Sequence, residues 1–353
     1  MKLIFHRFDL PLRHVFTIAH GSTQVYRALV VELQEGGASG FGEAGESLYY
    51  GVTIEAMTAA LEPVRRPLAT WRLDDPASLW HELDPLLSGN RFAQCALDIA
   101  AHDLWGKLLG QPVWKLWGLS LDRLVPTDYT IGIDSIDVML RKMREFPDWP
   151  IYKIKLGTPD DLAIVRQLRR HTDAVFRVDA NCAWGVEETI RNASALAELG
   201  VEFIEQPLAA DHWEGMKQVF ARSALPVIAD ESCQTEPDVD RCVGHFHGVN
   251  VKLVKCGGLT PARRMILRAR QLGLKAMVGC MTETTVGISA IAQLLPLLDY
   301  VDMDGALLLA RDVATGVTIR RGRVEYPQEN GCGVRWVGAP MAEGTTDEPT
   351  RSA

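Results

Sequence analysis

Five short apolar runs decide how this chain folds: Tyr152-Lys153-Ile154-Lys155, Val175-Phe176-Arg177-Val178-Asp179, Phe203-Ile204-Glu205, Val227-Ile228-Ala229-Asp230 and Val251-Lys252-Leu253-Val254-Lys255. Their charged last residues stand at positions 155, 179, 205, 230 and 255, separated by 24, 26, 25 and 25 residues. One strand plus one helix takes roughly 25 residues in a parallel barrel, and such barrels carry their chemistry at the C-terminal ends of the strands. Five consecutive strands then aim three carboxylates at one point, with an amine on either side. The pattern predicts a divalent-metal cage flanked by two bases, hence proton abstraction.

The rhythm extends in both directions. Strand-like runs fall at 127–133, 152–156, 175–179, 202–205, 226–230, 249–255, 275–279 and 300–304, with amphipathic stretches such as 161–170, 186–199 and 261–272 between them. Eight strands and seven helical segments fit a closed (β/α)7β barrel over residues 121–305, an α/β fold of the TIM type. An open doubly wound sheet would show a glycine-rich phosphate loop after its first strand, and no G-x-G-x-x-G follows any of these eight strands. Residues 1–120 differ in texture. Strand-like runs at 2–10, 15–19 and 25–33 precede helical periodicity at 53–68, 76–87 and 91–109, with Asp75 and Asn90 as N-caps and Ala93, Leu97, Ala101, Leu104 and Leu108 as one apolar stripe. This is an α+β layer. After the eighth strand, 306–337 offers β-like runs instead of another helix and is expected to fold back on that layer. Residues 338–353, GAPMAEGTTDEPTRSA, have the composition of a flexible tail.

Bulk properties narrow the class. The 353 residues accommodate a full barrel with about 100 to spare, and 47% hydrophobic with 23% charged residues is ordinary for a globular enzyme. No uncharged apolar run approaches membrane-spanning length, and the start, MKLIFHRFDL, does not read as a secretory signal. A formal charge of −8 argues against nucleic acid as a partner. The seven cysteines are odd in number and lack C-x-x-C spacing, which points to free thiols in a reducing cytoplasm.

Hard divalent ions prefer oxygen ligands, and none of the nine histidines falls on these strand ends. Asp179, Glu205 and Asp230 are therefore the expected ligands of Mg²⁺, with Mn²⁺ equally accepted. Singly, each acid reads as well as a cap of the following helix; three in register count against that. Lys153 and Lys155 share one face of their strand by its period of two. Lys255 would stand across the mouth, although the run Lys252-Leu253-Val254-Lys255 leaves the register open by one residue, and a snorkelling surface residue is the plainer alternative for either lysine alone. Lysines on opposite faces of a carbon acid, Lys155 and Lys255, would remove a proton from one side and return it on the other. The metal and the Lys153 ammonium would stabilise the resulting enediolate.

Lys153-Ile154-Lys155, Asp179-Ala180-Asn181, Glu205-Gln206-Pro207, Asp230-Glu231-Ser232 and Lys255-Cys256-Gly257-Gly258 resemble the strand-end motifs of the muconate-lactonizing-enzyme subgroup of the enolase superfamily. The resemblance spans nearly the whole chain and implies an N-terminal α+β capping domain over the barrel. Asp302-Met303-Asp304 resembles the D-x-D motif with which dipeptide epimerases hold a substrate's α-ammonium. In that family Thr130, Lys153, Cys280, Met281 and Thr282 would also contact the peptide. For the two aspartates, helix capping or a salt bridge is the plainer alternative. Epimerases acting on Ala-Glu carry an arginine in the first capping loop; here it reads Phe16-Thr17-Ile18-Ala19-His20-Gly21-Ser22, without Arg or Lys. The second loop, Glu46-Ser47-Leu48-Tyr49-Tyr50, suits a basic or hydrophobic second residue. The expectation is a Mg²⁺-dependent dipeptide epimerase. N-acylamino-acid racemase or o-succinylbenzoate synthase activity is the alternative within the superfamily, and a non-catalytic small-ligand-binding barrel the one outside it. Oligomeric state stays open, a homo-oligomer included.

Overall fold

A computed structural model describes residues 1–342. The chain begins as an antiparallel sheet of β1 (Lys2–Ile18), β2 (Gly21–Glu35) and β3 (Ala38–Gly45). The runs expected as two strands before residue 20 form one strand, whose register shifts between Pro11 and Phe16. β1 lies at the sheet edge, where a proline without an N–H is tolerated. Helices Ile54–Leu61, Pro76–Leu87 and Arg91–Leu109 follow. Asp75 accepts the N–H groups of Ala77 and Ser78, and Asn90 that of Ala93, so both expected caps close their helices. Helix Arg91–Leu109 lies directly on β3, because Gly40 and Gly42 leave no Cβ in the way. A Cβ there would come within 2.3 Å of the Ala100 carbonyl and 2.1 Å of the Ala96 carbonyl. Ala93, Leu97, Ala101 and Leu104 are buried, whereas Leu108 is 37% exposed and ends the stripe early.

The middle of the chain forms β4 (Tyr129–Ile131), β5 (Ile151–Lys155), β6 (Val175–Asp179), β7 (Val201–Glu205), β8 (Val227–Ala229), β9 (Gly248–Val251), β10 (Lys275–Gly279) and β11 (Tyr300–Asp302). These eight strands pair in parallel in chain order, and a Thr127–Val301 bridge links the last strand back to the first. The sixth strand is shorter than the sequence implied. It stops at Val251, and Leu253–Cys256 turns into helix. Inside the ring, Phe203, Ile228 and Met277 with Tyr300 form a small apolar cluster separate from the main core between strands and helices. The Arg177 guanidinium stacks 5.2 Å from the Phe203 ring and 5.1 Å from Tyr300, and pairs with Asp128 and Glu202. Stepping two residues toward the C-terminal ends carries this inward phase to Asp179, Glu205, Asp230, Gly279 and Asp302.

After the barrel come β12 (Arg311–Thr315), β13 (Thr318–Arg320), β14 (Arg323–Glu325) and β15 (Arg335–Ala342). Trp336 stacks on Phe41 of β3 at 5.0 Å and 10°, which ties this segment to the N-terminal sheet. Residues 338–342 of the expected tail lie in β15, which pairs with β12 as far as Arg311 opposite Ala342, so ladder hydrogen bonds hold this backbone. The rest of that expected tail lies outside the described residues. Among the described residues no helix is long and apolar enough to cross a membrane, and all seven cysteines are unpaired.

Candidate active site

Asp179 and Glu205 end β6 and β7 side by side in register, and Asp230 follows β8 directly. All three are buried, and each offers an oxygen within 4.8 Å of the others. Each is held from outside the cluster. The Asn181 N–H donates to Asp179 Oδ1 at 2.9 Å, Asn250 Nδ2 to Glu205 Oε1 at 2.8 Å, and Lys255 Nζ to Asp230 Oδ1 at 2.5 Å. Gln206 Oε1 accepts the N–H groups of Asp230 and Ser232, so the ends of the second and third acid-bearing strands are tied together. Directly after the acids the backbone takes positive φ at Asn181 (42°), Cys182 (66°) and Gln206 (34°), conformations that non-glycine residues adopt at a cost and that cluster at functional sites. An ion about 2.1 Å from each ligand places cis oxygens about 3 Å apart and trans oxygens about 4 Å apart. The cluster fits a hard divalent cation with little movement, and its all-oxygen donor set suits Mg²⁺ or Mn²⁺ better than Zn²⁺.

The lysines divide by what they reach. Lys153 and Lys155 do share a face. Lys153 Nζ lies 2.8 Å from both Glu205 Oε2 and Asp302 Oδ2 and 3.4 Å from Asp179 Oδ2, and Lys155 Nζ lies 2.6 Å from Asp179 Oδ2. Burial works to lower the Lys153 pKa, but Asp302, Glu205 and Asp179 outweigh it and hold the ammonium well above its ordinary value. Lys155 lines a cavity of about 390 Å³, and the lysine opposite it is Lys252, not Lys255. Lys252 Nζ lies 2.9 Å from Asp230 Oδ2, which outweighs burial and raises its pKa. Lys255 does not reach the cavity, because the strand has already ended and the residue sits in the helical turn. Its ammonium donates instead to Asp230 Oδ1 and to the carbonyls of Asp230 (2.5 Å), Cys233 (3.1 Å) and Asn250 (3.4 Å). Asp230, though buried, is held far below the carboxylate range by Lys252 and Lys255.

Thr130, Cys280, Met281, Thr282, Asp302 and Asp304 also line this cavity, whereas Lys153 lies beneath it among the carboxylates. Asp304 accepts the Thr130 N–H at 2.6 Å. Burial and the neighbouring Asp302 push the Asp304 carboxyl up to about 8, while Asp302, buried too, is held below the carboxylate range chiefly by Lys153. One wall comes from the N-terminal layer. Its loops meet where the His20 and Tyr49 rings lie 4.9 Å apart. Glu46, expected to receive a basic side chain, is already engaged: Arg27 Nη1 donates to both of its oxygens at 2.9 Å. Sequence reading missed Lys252 as the cavity lysine, Asn250 and Arg27, and also two cavity carboxyls. Burial first, then Asp230, raises Glu231 to about 8; burial raises Glu283 to about 7. Glu231 lay within a quoted motif, and Glu283 follows Thr282 directly. Lys252 was signalled by the period of two running on from Asn250.

The family model described as mandelate racemase / muconate lactonizing enzyme, N-terminal domain, matches residues 4–118, and that described as enolase C-terminal domain-like matches residues 139–339. The chain is 58% identical to an L-Ala-D/L-amino acid epimerase of Flavobacterium johnsoniae, over 95% of this chain and 99% of the relative. The substrate-liganded L-Ala-D/L-Glu epimerase from Bacillus subtilis superposes with a TM-score of 0.90 at 28% identity, over 97% of this chain and 100% of that one. A dipeptide epimerase from Methylococcus capsulatus, complexed with Mg and L-Arg-D-Lys, superposes with a TM-score of 0.86 at 33% identity, over 95% and 100%. With both domain models matched and a relative this close, the chain belongs to the enolase superfamily, in its mandelate racemase / muconate lactonizing enzyme branch, beside the dipeptide epimerases.

Proposed function

We propose that this chain is a divalent-cation-dependent dipeptide epimerase that inverts the α-carbon of the C-terminal residue, with Lys155 and Lys252 as the acid/base pair. The observation that carries this reading is one cavity lined by two lysines from β5 and the end of β9, with an acidic cluster between them and Asp302 and Asp304 to one side. Asp179, Glu205 and Asp230 would hold the cation, Mg²⁺ as in the Methylococcus enzyme. When bound, it supplies positive charge beside the substrate carboxylate and makes the adjacent C–H bond acidic. One lysine, as free amine, takes the α-proton from its side while the other, as ammonium, returns a proton from the opposite side. The buried Lys153 ammonium is fixed where negative charge develops, so its alignment requires no reorganisation during the reaction. Asp302 and Asp304 would receive the α-ammonium, with Thr130 orienting Asp304. Residues Cys280 to Thr282 would run along the peptide.

An N-acyl substrate is disfavoured, because it brings no ammonium for Asp302 and Asp304 to receive. With Glu46 held by Arg27, and Phe16, Ile18, Tyr49 and Tyr50 on the wall, the second residue is proposed to be uncharged and apolar or aromatic, not glutamate and not strongly basic. Seven free thiols suit a reducing compartment, the cytoplasm, and residues 1–120 with 306–337 would act as a cap on the 121–305 barrel. The test is deuterium wash-in at the α-carbon across a dipeptide library in D₂O with Mg²⁺. Exchange and inversion at the C-terminal residue are expected; no exchange with any dipeptide would overturn the proposal.

A further inference from the structure

We infer that Asn250 is a positioning residue that sets the orientation of Glu205 for the divalent cation, and that Gly279 exists to give it room. Asn250 is fully buried on β9, and its side chain reaches past β8 to donate from Nδ2 to Glu205 Oε1 at 2.8 Å. Its other end is unsatisfied: Oδ1 has no hydrogen-bond partner. A buried, unpaired carbonyl oxygen is unfavourable, and leucine of nearly the same shape would avoid it. What leucine cannot do is donate to a carboxylate, so the single bond to Glu205 is what this amide contributes.

The need is specific to Glu205. A glutamate has one torsion more than an aspartate, and Asp179 and Asp230 are each gripped by groups of their own neighbourhood, the Asn181 N–H and the Lys255 ammonium. Glu205 Oε2 faces Lys153 at 2.8 Å, which leaves Oε1 to be fixed by Asn250. An uncharged amide orients the carboxylate without cancelling the negative charge that attracts a cation; a lysine in its place would compete with the metal. Gly279 supports the same reading from another strand. Its backbone is not in the left-handed region, so glycine is not required there by conformation. A Cβ at Gly279 would lie 2.7 Å from both Nδ2 and Oδ1 of Asn250, so glycine is required by space.

The inference rests on the proposed cation site, though not on which dipeptide the enzyme accepts. The experiment is calorimetric titration of MgCl₂ into the full chain, wild type and Asn250→Leu, Asn250→Ser and Gly279→Ala variants, with Met277→Leu as a control. Met277 sits opposite Asn250 in the sheet register, and its side chain packs in the apolar cluster of Phe203, Ile228 and Tyr300. Loss of such an outer partner is expected to weaken Mg²⁺ binding about 10- to 100-fold, with kcat returning to within a few-fold of wild type at saturating MgCl₂ and with Met277→Leu unchanged in affinity. The serine variant introduces no clash and keeps the test alive if the leucine variant folds poorly. Wild-type affinity in folded Asn250→Ser or Gly279→Ala would overturn the inference alone. Equal weakening by Met277→Leu would also overturn it, since general damage to the barrel would then account for the effect. A wild-type protein that binds no divalent cation would overturn the metal site and the inference together.

Discussion

The barrel mouth and the two loops above it, 16–23 and 46–52, enclose the same cavity by opposite means. At the mouth, Asp179, Glu205 and Lys153 are at most 1% exposed, and every charge is met by a group from another strand. In the loops Leu48 is 84% exposed and Tyr49 51%; a ring pair joins the two loops, and an ion pair with Arg27 of β2 holds Glu46. Buried, mutually paired charges are expensive to rearrange, so the mouth presents one geometry to any substrate. Loop contacts of this kind are individually weak, so they select among side chains without setting the chemistry. The contrast predicts large, substrate-independent effects from the mouth and small, substrate-dependent effects from the loops.

The strongest attempt to break this contrast is at the lysines. Lys155→Ala and Lys252→Ala are each expected to lower epimerisation by roughly 10²- to 10⁴-fold. In D₂O each variant should still exchange the α-proton of one epimer, and the two variants should keep opposite epimers. Lys255→Met should behave differently, because its ammonium holds Asp230 and three carbonyls and touches nothing in the cavity. Lys252 still pairs with Asp230 at 2.9 Å, so the loss is that of one donor to a buried carboxylate and its neighbouring carbonyls, at a cost of about 1–3 kcal/mol, measurable by urea denaturation without metal. Exchange should then fall alike for both epimers. If Lys255→Met instead silenced one epimer and Lys252→Ala neither, the assignment of the second base would be reversed.

Asp302 sharpens the contrast within the mouth itself. Asp302→Asn is expected to lower kcat/KM for dipeptides with a free amine by roughly 2–5 kcal/mol in transition-state terms, while N-acetylated analogues, already poor, should change little. A smaller effect follows from Asp304. Its carboxyl, raised to about 8 by burial and Asp302, is mostly protonated at pH 7. An arriving ammonium favours the ionised form, so binding at pH 7 should release close to one proton. Near pH 9 Asp304 is already ionised while much of the dipeptide amine, with an ordinary pKa of about 8, is neutral; binding should then take a proton up. Calorimetry in buffers of different ionisation enthalpy reads the sign directly, and uptake at pH 7 would remove Asp304 from the ammonium site.

How much of this was legible in the sequence depends on how local the signal is. Asp179, Glu205 and Asp230 were visible because the helices before their strands, Asp161–Arg169, Val186–Glu198 and Trp213–Arg222, are of similar length and keep the beat. The beat fails at the next strand, where the intervening helix Glu236–Arg241 has only six residues, so Lys252 arrives 22 residues after Asp230 and Lys255 falls beyond the strand end. The caps Asp75 and Asn90 act within three residues and were read correctly. Long-range partnerships were not legible. Nothing local to Asn250 names Glu205, 45 residues away, and nothing in loop 46–50 shows that Arg27 from β2 occupies its one acid. The bulge joining two runs into β1 and the pairing of β15 with β12 are likewise set by a partner strand.

That hidden arginine provides the smallest test. Arg27→Ala removes the two bonds to Glu46 and leaves an acid at the cavity wall without its cation. Dipeptides ending in lysine or arginine should gain relative to those ending in leucine or phenylalanine, by about twofold to fivefold, the scale of a surface ion pair. The gain should shrink as salt rises, because a partly exposed charge is screened within about 10 Å at 0.1 M ionic strength. Total activity on an apolar dipeptide should stay nearly constant, since no group at the mouth has moved. A uniform loss on all dipeptides would mean that Arg27 braces the scaffold that aligns the lysines, and the division between a fixed mouth and a selective rim would no longer hold.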